Sequence, residues 1–256
     1  MLSWGAKRRF IVLAIAILIV VLIFTWYGFA KFYAPPSCTD GKQNQEELGV
    51  DCGGPCARLC PNQAPDLIVR WQRSFPVTNA SYNALAYIES SNPRLGSKNV
   101  NYIFKLYNKE NVLVAERAGT TTIPPQRIVP IFEGDIRTGN RVPNRIVFQF
   151  EGTPVWETLS AVGPNVAITD QDARDLDSLP LISALLRNNS AKSLHNVAVA
   201  VIVYDKDNNA RAASQTVVES VKALESADLL FSWPTPFAFS VGRIEIVPRL
   251  YPGLQY

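Results

Sequence analysis

The chain has little of what most enzymes and nucleic-acid-binding proteins depend on. Its 256 residues include one histidine and one methionine, and only 18% are charged. The lone histidine, His195, has Lys98 as its counterpart in the repeat described below. That position therefore needs no imidazole, and a surface or loop role is expected. There is no Gly-x-Ser-x-Gly elbow, no phosphate-cradling Gly-Lys-Ser/Thr loop and no His-Glu-x-x-His pair, which removes the familiar hydrolase and nucleotide-binding signatures. Carboxylate-pair catalysis needs only Asp and Glu, so an enzyme or sensor is kept as a minor alternative, with no catalytic residue assigned. Acid is missing from residues 1–32, which hold Lys7, Arg8, Arg9 and Lys31; the remainder has 21 basic residues against 22 acidic ones. That balance leaves no electrostatic footprint for nucleic acid.

What is present begins with a long apolar run. Phe10–Ala30 carries no charge, and Phe10–Phe24 is apolar without a break. At about 1.5 Å per helical residue the 21 positions span about 31 Å, enough for a bilayer's hydrocarbon core. Basic residues precede the run, which predicts a short cytoplasmic tail (1–9), a membrane helix (10–32) and an extracytoplasmic remainder. Trp26 and Tyr27 fall where an interfacial aromatic belt would hold the helix. A cleaved signal peptide is the competing reading, with Gly28-Phe29-Ala30 as its cleavage site, but the run exceeds a usual signal core.

All four cysteines, Cys38, Cys52, Cys56 and Cys60, lie in one short stretch. Outside a membrane such a cluster reads as two disulfides, with three pairings open. Zinc fits poorly, because the gaps do not match paired knuckles and an oxidising compartment disfavours thiolates. Asp40, Asn44, Glu47 and Asp51 are spaced four, three and four apart, so a helix would set them on one face. Calcium there is one expectation; a solvated acidic face is the other, with no cofactor at all. The string Cys-x-Asp-Gly-x-x-Asn-x-x-Glu-x-x-x-Asp-Cys-Gly-Gly resembles a small module of exported bacterial proteins found beside membrane anchors or sandwich domains. That resemblance implies location and no activity.

An internal repeat organises the rest. A shift of 97 positions aligns Leu85–Tyr107 with Ile182–Tyr204, placing Asn92, Asn99 and Val100 on Asn189, Asn196 and Val197. Val100, Tyr102, Phe104 and Leu106 alternate onto one face, as do Val197, Val199, Val201 and Val203, which marks a strand with one side in a core. Asn108–Asn111 and Asp205–Asn208 supply matching turns, and Arg145–Phe148 matches Arg243–Ile246 at a shift of 98. Each copy is the size of an immunoglobulin-like sandwich. The fold class expected is all-β, with two tandem antiparallel sandwiches after a transmembrane helix and a disulfide-rich neck. Phe104-Lys105-Leu106-Tyr107-Asn108 resembles the signature of the FxLYD family, with Val201–Asp205 a weaker second copy. That resemblance implies a sandwich of bacterial envelope proteins without catalytic residues.

The domains expected are a neck at 33–65 and sandwiches at 66–160 and 161–256. The short link Ser160–Pro164 predicts a stiff rod of two beads. Trp71, Trp156 and Trp233 are assigned to core or edge packing. Asp170, Asp172, Asp175 and Asp177 follow the link and could stiffen a junction through calcium, or form a solvated loop. Loops Asn92–Lys98 and Gly134–Asn144 are candidate contact sites. The expected function is a membrane-anchored binding or adhesion module with an envelope or surface protein as partner. The alternative is a structural accessory subunit of an envelope, secretion or filament complex.

Overall fold

The computed structural model describes residues 4–32, 37–63, 67–91, 94–158 and 165–250, so Asn92, the Ser160–Pro164 link and both expected sandwich boundaries lie outside the described residues. The one α-helix among the described residues, α1 (Trp4–Phe32), contains the apolar run. It is long and apolar enough to cross a membrane, and a signal sequence would look the same. Thr25, just past the unbroken apolar stretch, folds its hydroxyl back on the carbonyls of Val21 and Leu22 at 2.9 and 3.0 Å. Such a bond hides a polar group that lipid could not satisfy.

Thirteen strands follow: β1 (Leu67–Pro76), β2 (Ser81–Ser90), β3 (Leu95–Tyr107), β4 (Leu113–Ile123), β5 (Ile128–Arg137), β6 (Arg145–Glu151), β7 (Trp156–Thr158), β8 (Val166–Arg174), β9 (Leu181–Asn188), β10 (Leu194–Asp205), β11 (Ala210–Val221), β12 (Ser226–Ser232) and β13 (Val241–Arg249). They make antiparallel sheets in the orders β1-β2-β5, β4-β3-β6 with β7 also on β3, β12-β9-β8 and β11-β10-β13. The first two sheets enclose one core, in which Ala84, Ile88 and Ile131 meet Phe104, Leu106 and Phe148. The other two enclose a second, where Ile182 and Leu186 meet Val199, Val201 and Val203. The fold is an all-β sandwich architecture with one N-terminal helix. Prolines inside strands fall only on edge strands, as Pro76, Pro130 and Pro248, because proline cannot donate to a neighbour.

The repeat is visible in pairing as well as in sequence. Phe104 pairs with Arg117 and Phe148, and Val201 with Ser214 and Ile246. Both hairpins shift register at the same place, just before Tyr107 and Tyr204. The turns match atom for atom: Asn108 Oδ1 accepts from the Glu110 and Val112 amides, and Asp205 Oδ1 from those of Asp207 and Asn209. One part of the alignment needs correction. A shift of 97 sets Leu85, which faces away from its own core, on Ile182, which faces into one. Pairing to the neighbouring strands gives 98 instead, since Ala86 opposite Ile131 corresponds to Ala184 opposite Leu229. A single-residue slip exchanges the faces of a strand, so the copies differ by one residue between β2 and β3.

The stiff rod of two beads is also corrected. The outer face of β1-β2-β5 packs against the outer face of β11-β10-β13 through Phe75, Leu85, Ile202, Tyr204, Ala210 and Ala213. Leu85 and Ile202 are both 0% exposed. Burying an aliphatic side chain of that size contributes roughly 1.5–3 kcal/mol, so the packed contact itself holds the two sandwiches face to face.

Met1–Cys56 and Ala57–Tyr256 form separate compact units. The second starts inside the expected neck: Leu59 N donates to Trp156 O and Thr158 N to Ala57 O, and Leu59 packs on the first core.

Candidate functional site

In the neck, Cys38 and Cys56 form a disulfide with Cα atoms 5.6 Å apart. Cys52 and Cys60 are disulfide-bonded too, and none of the four is free. The helix expected to carry Asp40, Asn44, Glu47 and Asp51 is absent; turns, bends and an isolated bridge between Gly49 and Cys52 replace it. The spacing serves the loop's own amides. Asp40 accepts from Lys42 N and Asn44 Nδ2, both at 2.9 Å, and Asn44's bond leads in holding its carboxyl below the usual range. Asp51 accepts from Gly41 N, and Glu47 Oε2 from the amides of Asn44 and Asp51. Gly54 sits at φ 58°, where an added Cβ would lie 2.3 Å from Glu46 O. The pattern of Asp, Asn, Glu and Gly is thus that of a loop without a core. Donor atoms of Cys38, Glu47 and Cys56 gather within 4.8 Å, but both sulfurs are in the disulfide, so only the Glu47 carboxylate is left to ligate.

The second acidic group is not at a junction. Asp170 and Asp172 lie on β8, in the sheet farther from the first sandwich. Asp172 pairs with Arg174 at 2.9 Å, while Asp170 accepts from Thr169 Oγ1. Asp175 and Asp177 occupy the turn after it. His195 is half-buried near the start of β10, opposite Ser220. Both candidate loops shrink: β3 already begins at Leu95 and β5 runs to Arg137, leaving Thr138–Asn144 as the irregular part. Trp156 and Trp233 are buried in the two cores, as expected, and Trp71 packs between the sandwiches.

Where the sandwiches meet, one carboxylate gathers donors from both. Glu245 Oε1 accepts from Tyr87 Oη at 2.7 Å; Oε2 accepts from Tyr204 Oη at 2.9 Å and Arg243 Nη1 at 3.0 Å. Burial, helped by this carboxylate, pushes Tyr204 up to about 12 and raises Tyr87 as well. Trp71 stacks on Tyr87 at 5.1 Å and meets Tyr204 edge-on at 6.5 Å. Arg73 Nη1 and Asn83 Nδ2 reach across to the carbonyls of Ala210 and Ala213 at 2.9 and 3.0 Å.

Beside this contact opens a cleft of about 930 Å³, walled by Val69–Pro76 of β1, the start of β6, the start of β11 and the 233–239 stretch after β12. Its size suits a bound segment or a drug-sized ligand. Four arginines line it, Arg70, Arg73, Arg145 and Arg211, and no described acidic residue does. Arg70 is paired with Glu89, which Arg127 shares. The other three keep donors available: Arg145 rests 4.6 Å over the Tyr107 ring and Arg211 5.6 Å over Phe239. Trp233, Phe237 and Phe239 are in ring contact with centroids 5.0 Å apart. The stretch is tied down where Phe237 N donates to Leu176 O and Trp233 N to Pro180 O.

Of the cleft residues, sequence marks Trp71 and Trp233 for packing, Arg145–Phe148 for the repeat, and Asn144 as the end of a candidate contact loop, and it assigns none of them to a shared cleft. The available signals were Arg70-Trp-Gln-Arg73 and the aromatic, proline-punctuated Trp233–Phe239, far apart in the chain.

No family model matches the chain, and no curated protein matches it. Among solved structures, red sea bream transglutaminase is similar over 73% of this chain and 31% of its own length, at 9% identity and a TM-score of 0.22. The chain thus spans under a third of that protein, and a likeness of this degree carries no argument.

Proposed function

We propose that the protein is a single-pass, membrane-anchored binding module whose cleft between two sandwiches engages a partner outside the cytoplasm. In this reading α1 is retained, with Lys7, Arg8 and Arg9 on the cytoplasmic side, and the sandwiches are related to the FxLYD family. The disulfides support the compartment, since such bonds persist where conditions are oxidising. The observation that carries the binding role is the cleft itself, lined by four arginines and six aromatics with no acidic residue among its described lining. Arg73 and Arg145 have no carboxylate partner among the described residues, and unpaired cations in a concave site favour an anionic partner.

The test places a photo-crosslinking amino acid at Ser74, in the cleft, and separately at Leu230, which is 59% exposed on the sheet farther from the first sandwich. Irradiation of intact cells should give a discrete adduct from Ser74 and none from Leu230. Adducts from Leu230 and none from Ser74 would contradict binding at the cleft. A reporter fused after Tyr256 that proves cytosolic would overturn the placement outside the cytoplasm.

A further inference from the structure

β1 is an edge strand: β2 pairs with one side, and no described strand pairs with the other. Eight successive residues of β1, Val69–Pro76, line the cleft. Successive side chains on a strand point to opposite faces, so a wall that touches all eight runs along the strand's edge. That edge is bounded at each end. Register shifts at Arg70, between Val69 and Trp71, and Pro76 has no N–H to give. Trp71–Phe75 lies between them as an open backbone ladder.

Cations flank this ladder on both faces. Arg73 points toward the second sandwich, where it bonds Ala210 O, and Arg211 lies on β11 next to that carbonyl. Arg145 stands at the start of β6 on the other side. Among the described residues, Arg73 and Arg145 have no carboxylate within ion-pair distance, while Arg211 pairs through Nε with Asp205 at 4.0 Å.

Resting on the binding role assigned above to the cleft, we propose its ligand class: an extended, acidic peptide segment of a partner protein. It pairs its backbone with β1 over Trp71–Phe75 and lays carboxylates on Arg73, Arg145 and Arg211. Strand addition supplies the affinity common to any extended chain, and the guanidinium forks select acidic side chains. An acidic glycan would match the charge but has no amide ladder to offer the open edge.

The full chain in lipid nanodiscs is titrated against a fluorescein-labelled octapeptide of repeating Glu-Glu-Val-Val, which sets glutamates on both faces of an extended chain, followed by anisotropy. Parallel arms use the lysine–valine peptide, two N-methylated versions blocking either alternate set of amides, and oligogalacturonate. Saturable binding of the glutamate peptide is expected, with the lysine peptide inert. One N-methylated version should lose about tenfold or more, because only one set of amides faces β1. The double variant Arg145→Ala/Arg211→Ala should bind about tenfold more weakly, with an unchanged melting temperature showing that it folds. Equal binding of both N-methylated peptides, or of the lysine peptide, overturns the proposal. So does binding of oligogalacturonate alone, which leaves the Ser74 adduct, and with it the cleft as a binding site, standing.

Discussion

Glu245 is the residue on which the contact between sandwiches turns, since its two oxygens hold Tyr87, Tyr204 and Arg243 together. Glu245→Ala would leave two half-buried hydroxyls without their acceptor, a loss of about 1–3 kcal/mol that a lowered urea midpoint would register. The same tyrosines set an alkaline limit. Their folded pKa values are raised above the ordinary value of about 10, Tyr204 to about 12, so the folded state holds these protons more tightly than the unfolded chain. Their stabilisation is complete below pH about 10 and declines as pH rises toward 12. Urea midpoints should fall across that window, and in Tyr87→Phe/Tyr204→Phe the fall should be shallower. Gly119 tests packing alone. An added Cβ would lie 2.5 Å from Tyr102 Oη and 2.8 Å from Glu133 Oε1, which are bonded to each other. Gly119→Ala is expected to lose about 1–3 kcal/mol, read from the melting temperature.

The matching hairpins put Asn111 and Asn208 in the left-handed region, at φ 58° and 60°. Asn111→Gly should be nearly neutral, while Asn111→Val should cost about 1–2 kcal/mol in a urea titration. The neck depends on its bridges instead. A loop closed over 18 positions, as by Cys38–Cys56, is worth about 3 kcal/mol in the chain-entropy model. With reductant, trypsin should cut at Lys42 while the strands resist; equal protection with and without reductant would show that the loop holds itself. At this scale the sequence was informative about one face of each strand. The period of two at Val100–Leu106 and Val197–Val203 marked the core faces correctly. That period assigns no partner to the opposite faces. Yet Val197–Tyr204 and Ala84–Ile88 are apolar at every position, which is how strands covered on both sides read. In the neck the spacing suits one face of a helix, as calcium binding there would need, but the loop uses the same residues to bond its own amides.

Across the whole β unit, four sheets are layered, because β1-β2-β5 and β11-β10-β13 each have two apolar faces. Lys105 stands where the second copy has Ile202, and Glu116 where it has Ala213, so the equivalent face of β4-β3-β6 is charged and does not invite another layer. The cleft was illegible in sequence for a physical reason. Its walls come from four segments spread over some 170 positions, and only the face-to-face packing brings them together. Calorimetry of the full chain beside Ile202→Lys, which imports the first copy's residue into the contact, therefore tests that packing most directly. A single transition for the β unit of the natural sequence is expected, with the variant separating into two lower ones as each core unfolds alone. Two transitions in the natural sequence, or a variant melting unchanged, would contradict it.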